Sequence, residues 1–107
     1  MNNMILLMKF GGTSIADADS IKHVARIVKD YAKENKIVVV VSALKDVTDQ
    51  LIKSSEKARS GDRKSVQTFL KMLRDGHLTT AKEAIEKESI QKEAEQTIRK
   101  LIDDLEK

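Results

Sequence analysis

The sequence predicts an α/β fold: a βαβ unit with two central parallel strands, followed by a mostly helical C-terminal half. Three observations predict it. Met4–Lys9 opens the chain with an almost unbroken apolar run, too short for a helix and of strand length. Ile37-Val38-Val39-Val40-Val41 is a run of five β-branched residues with no polar alternation, the side-chain type that fits a pleated surface. Between and after these runs the apolar residues recur every three or four positions, which is the period of a helix with one apolar face. Because neither strand alternates, both are expected to be covered on both faces, as in a parallel sheet.

Each element has its own signal. After the first strand, Ile21, Val24, Ala25, Val28, Tyr31 and Ala32 stripe a helix from about Ala18 to Glu34. Asp17, Asp19 or Ser20 can cap its start, and Lys33-Glu34-Asn35-Lys36 ends it. The second strand follows, so strand, helix and strand make a right-handed crossover with both strand C-termini at one sheet edge. A second helix spans Val47 to about Arg59, with Thr48 as a possible N-cap, and Ser60-Gly61-Asp62 breaks it. Val66, Phe69, Leu70 and Leu73 stripe a third, closed by Asp75-Gly76-His77. Thr80 with Glu83 fits a capping box for a fourth, which runs to the C-terminus; its stripe falters around Glu88-Ser89, which allows either a kink or two helices there. Two strands cannot make a sheet covered on both faces by themselves. The pattern therefore predicts a fragment, residues 1–107, of a larger domain, or a chain that finds further strands in another subunit. Residues 1–49 carry the βαβ motifs and 50–107 the helical region.

Composition narrows the function classes. Aromatic residues are only 3% of the 107, so the core is aliphatic and there are few rings for stacking nucleic-acid bases. The net charge of +3 comes from interleaved acids and bases, a solvated-surface pattern that gives no basic patch for nucleic acid. Cysteine is absent, which excludes disulfides and thiolate metal sites. His23 and His77 have no partner at helical spacing, so no metal site is expected. The N-terminal apolar run is too short for a signal-peptide core or a membrane span. A soluble, cytoplasmic protein is the expectation.

The chemistry concentrates in Lys9-Phe10-Gly11-Gly12-Thr13-Ser14, where the first strand gives way to the first helix. Glycines allow close approach of a ligand to the backbone because no Cβ intervenes. Lys9 brings a mobile ammonium, and a helix N-terminus follows. The spacing is not that of a Walker A loop. Ser42-Ala43-Leu44-Lys45-Asp46-Val47-Thr48-Asp49 leaves the second strand at the same sheet edge, where open α/β sheets bind ligands.

Lys-Phe-Gly-Gly-Thr-Ser after the first strand, with Val-Val-Val-Val-Ser-Ala and Val-Thr-Asp after the second, closely resembles the N-terminal end of aspartate kinases, within the amino-acid-kinase fold. The helical region from Val47 to Lys107 resembles, less specifically, the helical insert of archaeal-type members. The resemblance implies ATP-dependent phosphorylation of L-aspartate to 4-phospho-L-aspartate, in lysine, threonine and methionine biosynthesis, with ATP and Mg²⁺. It implies that Lys9 is catalytic and neutralises the transferring phosphoryl group. Lys9, Phe10, Gly11, Gly12 and Ser42 would bind the ATP phosphates, and Thr48 would hold aspartate. Asp49 stands where many members carry Asn and is left outside the site. The resemblance covers only the first portion of such an enzyme, so the chain alone is expected to be inactive and to self-associate as a homo-oligomer. It is not expected to bind nucleic acid or membrane. The alternative is a helical self-association or partner-binding module that keeps a vestigial phosphate-binding turn.

Overall fold

The computed structural model describes residues 4–107. They fall into two compact units, one ending at Lys45 and the other running Asp46–Lys107. Each is taken by itself.

The first unit contains β1 (Ile5–Phe10), a short 3₁₀ turn (Gly12–Ile15), α1 (Ala18–Ala32) and β2 (Lys36–Val41). The strands are parallel and in register from Ile5 opposite Lys36 to Phe10 opposite Val41. Backbone bonds from Lys36 to Met4 O and from Ser42 to Phe10 O, both 3.2 Å, extend the ladder at either end. α1 begins at Asp17, whose side chain accepts from the Ser20 N–H at 2.9 Å. It ends at Ala32, the last residue of the apolar stripe and two residues before the expected boundary at Glu34. Asn35 Nδ2 donates to Tyr31 O at 3.0 Å there, adding to the backbone N–H of Glu34 on the same carbonyl at 3.4 Å.

Register sorts the strand side chains onto two faces. Leu6, Met8 and Phe10 share a face with Ile37, Val39 and Val41. This is the α1 side, where Val39 and Val41 line an apolar cleft with Ile21, Val24 and Val28. Ile5, Leu7 and Lys9 share the other face with Lys36, Val38 and Val40. That face is bare: Ile5 is 66% and Leu7 70% exposed. The expectation of strands covered on both faces is therefore not met within this unit. Among the described residues α1 is its only long helix and reaches one face, so the second apolar face is left open.

The second unit is all helix: α2 (Val47–Arg59), α3 (Arg63–Ala84) and α4 (Glu88–Glu106). α3 packs against both others. Leu70, Leu73 and Ile102 form the centre of the core, with Val47, Val66, Phe69 and Ile98 against it. No helix among the described residues is long and apolar enough to cross a membrane.

Two sequence readings fail here. The third helix does not stop at Asp75-Gly76-His77. Gly76 has no left-handed backbone, and α3 runs through it to Ala84. A glycine inside a helix costs roughly 1 kcal/mol, less than the burial of Leu78 and Ala81, both within the next two turns, returns. Thr80 consequently lies inside α3 and caps nothing; its hydroxyl donates to Gly76 O at 2.9 Å. The break falls instead at residues 85–87, just before the faltering stripe at Glu88-Ser89. There Gln91 of α4 reaches back, and its Nε2 donates to Lys82 O and Ile85 O at 3.0 Å each. One side-chain amide thus satisfies two carbonyls of the α3 C-terminus.

Both long helices with a side-chain cap start on an aspartate. Asp62 accepts from Ser65 Oγ at 2.6 Å and Ser65 N–H at 3.1 Å, and the hydroxyl bond, then the backbone bond, hold its pKa below the ordinary carboxylate value. Asp17 is lowered chiefly by the Ser20 backbone N–H. A carboxylate whose folded pKa is depressed contributes stability above its unfolded pKa and loses it as pH falls through the folded one. The helical circular-dichroism signal should therefore decline on acidification below the ordinary carboxylate range. In an Asp17→Asn, Asp62→Asn chain, which keeps the caps without the charge, that acid limb should be shallower. An unchanged limb would show that other carboxylates govern the loss.

Candidate phosphate-binding site

The candidate site lies where β1 ends. Phe10 is half-buried on the α1 face, and Lys9, one residue earlier, is exposed on the bare face beside Leu7, Val38 and Val40. Gly11 is extended, at φ −75° and ψ 176°, and precedes the 3₁₀ turn. The turn is closed by Ser14 N–H donating to Gly11 O at 3.0 Å. β2 brings its own end alongside: Ser42 N–H donates to Phe10 O. Parallel pairing thus joins Lys9, Phe10, Gly11, Gly12 and Ser42 at one sheet edge, as the order strand–helix–strand requires.

The glycines differ from what their type suggests. Neither has a positive φ. A Cβ built on Gly11 meets nothing within 4 Å, and one on Gly12 meets only Ala43 O, at 3.9 Å, an ordinary contact. The turn itself requires glycine at neither place. Gly61, between α2 and α3, is the contrasting case, because its φ of +82° does favour glycine.

The α1 N-terminus is a less open anion site than the sequence suggests. Its first turn is already occupied by the Asp17 carboxylate, which sets a negative charge at the dipole's positive end. Lys9 and the backbone at Gly11–Gly12 are left as the groups suited to an anion. His23, one turn into α1, is exposed and lines a shallow cleft with Phe10, Thr13, Ser14 and Asp19.

Thr48 belongs to the second unit, as the second residue of α2, and is exposed. It is not the cap. Asp46 occupies that position with a left-handed backbone, φ 64°, and no side-chain bond to the helix. The sequence offered a hint, since aspartate is among the few non-glycine residues that adopt this conformation readily. Asp49 sits in the first turn of α2, where a carboxylate suits the helix dipole.

The sequence profile of the amino acid kinase family matches residues 4–105. The chain belongs to the amino acid kinase family. Among curated relatives, an aspartokinase of Rickettsia felis is 51% identical over 49 residues, 45% of this chain and 12% of that protein. An aspartokinase of Rickettsia prowazekii is 37% identical over 79 residues, 72% of this chain and 18% of that protein. Aspartokinase 2, chloroplastic, of Arabidopsis thaliana is 35% identical over 79 residues, 72% of this chain and 14% of that protein. The matched stretch thus spans less than a fifth of the length of each of these relatives. Over residues 4–105 this family member presents two parallel strands and four α-helices.

Proposed function

We propose that this chain forms the N-terminal, phosphate-holding part of an aspartate kinase. In that reaction an oxygen of the aspartate β-carboxylate attacks the γ-phosphorus of ATP. The bond from that phosphorus to the bridging oxygen breaks, and ADP leaves with the electron pair. The attacking group is already a carboxylate, so no proton has to be removed. Catalysis then rests on positioning and on stabilising charge.

Lys9 is the catalytic residue in this reading, its ammonium neutralising the charge on the transferring group. The backbone of Phe10, Gly11 and Gly12, with Ser42, holds the phosphates, and Thr48 holds aspartate. Mg²⁺ accompanies ATP, bound by phosphate oxygens rather than by a cage of protein carboxylates. The protein acts in the cytoplasm on small molecules, as a homo-oligomer, and on neither nucleic acid nor membrane. With the matched stretch so short a part of the aspartokinases, the chain alone binds the phosphate end and does not turn over.

The observation that carries this reading is the pair of glycines at the end of β1. Neither the backbone nor the packing explains them, whereas a ligand approaching the main chain does. The test separates the two demands. In a complete kinase bearing this sequence, Gly11→Ala should leave stability unchanged or raise it by about 0.4–1 kcal/mol, because alanine adopts that backbone and restricts the unfolded chain. Gly11→Ala with Gly12→Ala should raise the KM for ATP about tenfold or more while thermal melting is preserved. An unaltered KM would remove the main support for the phosphate site.

A further inference from the structure

Among the described residues Asp46 alone, apart from glycine, has a positive φ, 64° with ψ −2°. An L-residue enters that left-handed region against its own Cβ, so such a backbone persists only where its surroundings hold it. Helix capping does not explain it. Asp17 caps α1 from an extended backbone, φ −148°, with its side chain on the Ser20 N–H. Asp46 stands in the same position before α2, and its side chain makes no capping bond. A plain reversal of the chain does not explain the residue type either. Between α2 and α3 a left-handed backbone, φ +82°, falls on Gly61, the residue that region favours. Asp46 adopts it with a side chain that is exposed and, among the described residues, in no ion pair.

The place of this residue in the chain gives the strain a use. β2 ends at Val41 and α2 begins at Val47, so Ser42 to Asp46 is the whole connection. Its first residue is tied to β1, because Ser42 N–H donates to Phe10 O at 3.2 Å. Its last is tied to α2, because Asp46 O accepts from the Gln50 N–H at 3.0 Å. Val47, the next residue, packs against the cluster of Leu70, Leu73 and Ile102. The dihedrals of Asp46 therefore set the direction in which the first turn of α2 leaves the connection, and Thr48 is in that turn.

We propose that Asp46 is a positioning residue for the amino-acid substrate, its left-handed backbone presenting Thr48 to aspartate. This rests on the reading of Thr48 as the aspartate contact. Asp46 itself touches neither substrate, and its backbone rather than its charge is what acts. Aspartate is among the few L-residues that reach this region readily, and it lacks glycine's freedom to leave it. A substitution that empties the left-handed state lowers the fraction of molecules with Thr48 in place. The apparent affinity for aspartate then falls by that fraction. Lys9, Gly11 and Gly12 precede the connection, so ATP binding is spared.

Steady-state kinetics of a complete kinase carrying this sequence, with each substrate varied in turn, test it. Asp46→Val should raise the KM for aspartate about tenfold, the factor that matches the left-handed penalty of a residue with a Cβ. The KM for ATP and kcat should stay within about twofold of the parent. Asp46→Ala should move the same way by less. Asp46→Asn and Asp46→Gly, which keep the backbone, should hold the KM for aspartate within about threefold. In a Thr48→Ala background Asp46→Val should add little, since the contact it misplaces is already gone. A residue that serves folding alone lowers the melting temperature and leaves both KM values unmoved, which overturns the proposal. An Asn variant as impaired as the Val variant makes charge the cause and overturns it too, as does a full Asp46→Val effect on top of Thr48→Ala. Failure of the underlying reading looks different: Thr48→Ala by itself then leaves the KM for aspartate unchanged, and this inference falls with it.

Discussion

Lys9→Ala, introduced into a complete kinase carrying this sequence, should lower kcat by about a hundredfold or more, the usual loss when one charge contact to a transition state is removed. The reason is positional. Lys9 is the last-but-one residue of β1 and is exposed on the sheet face away from α1. It is separated by Phe10 alone from the glycines that leave the backbone open. Its side chain has no ion-pair partner within 4 Å among the described residues, so removing it breaks no structural bond. Folding should accordingly be unaffected, and circular dichroism of the variant checks that. Thr48→Ala should behave differently, raising the KM for aspartate more than it lowers kcat, because binding common to ground and transition states appears in KM. Near-normal turnover of Lys9→Ala would mean that some other group neutralises the phosphoryl charge.

The residues that support this experiment were readable from the chain because their signals were local. Five β-branched residues at 37–41 leave little alternative to a strand, and the change from a continuous apolar run to a three-and-four spacing marks α1. Parallel pairing then follows from connectivity, which brings Ser42 to Phe10. What sequence could not settle was decided by contacts between elements. Asp75-Gly76-His77 has the composition of a helix end, and Thr80 with Glu83 that of a helix start. Burial of Leu78 and Ala81 nevertheless carries α3 through both. The side-chain bond that marks the true break comes from Gln91, beyond the turn. What covers the second face of the strands was not legible for a related reason. An unalternated strand states that both faces are apolar, and it does not state which element lies against them. The cap of α2 was misplaced because Asp46 takes a left-handed backbone, which residue type permits but does not dictate.

The second large effect should come from the helical core. Leu73→Ala should destabilise the unit running Asp46–Lys107 by about 2–3 kcal/mol, the lower part of the range for a buried leucine. The lower part applies because Leu73 retains 7% exposure and no large side chain is fully enclosed, so neighbours can relax into the space. For a unit of this size, total stability is expected at roughly 3–9 kcal/mol. Such a loss is a large fraction of it, and the melting temperature should fall by roughly 10 °C or more. Leu70 and Ile102 share the cluster with Leu73, so Leu70→Ala and Leu73→Ala together should not add simply. Leu101→Ala is the control. It deletes the same atoms from the neighbouring position on α4, but at 61% exposure, and should shift stability by no more than about 0.5 kcal/mol. The comparison is made at low concentration, where association no longer contributes. Equal losses from Leu73→Ala and Leu101→Ala would mean that α4 packs on α3 through a different face.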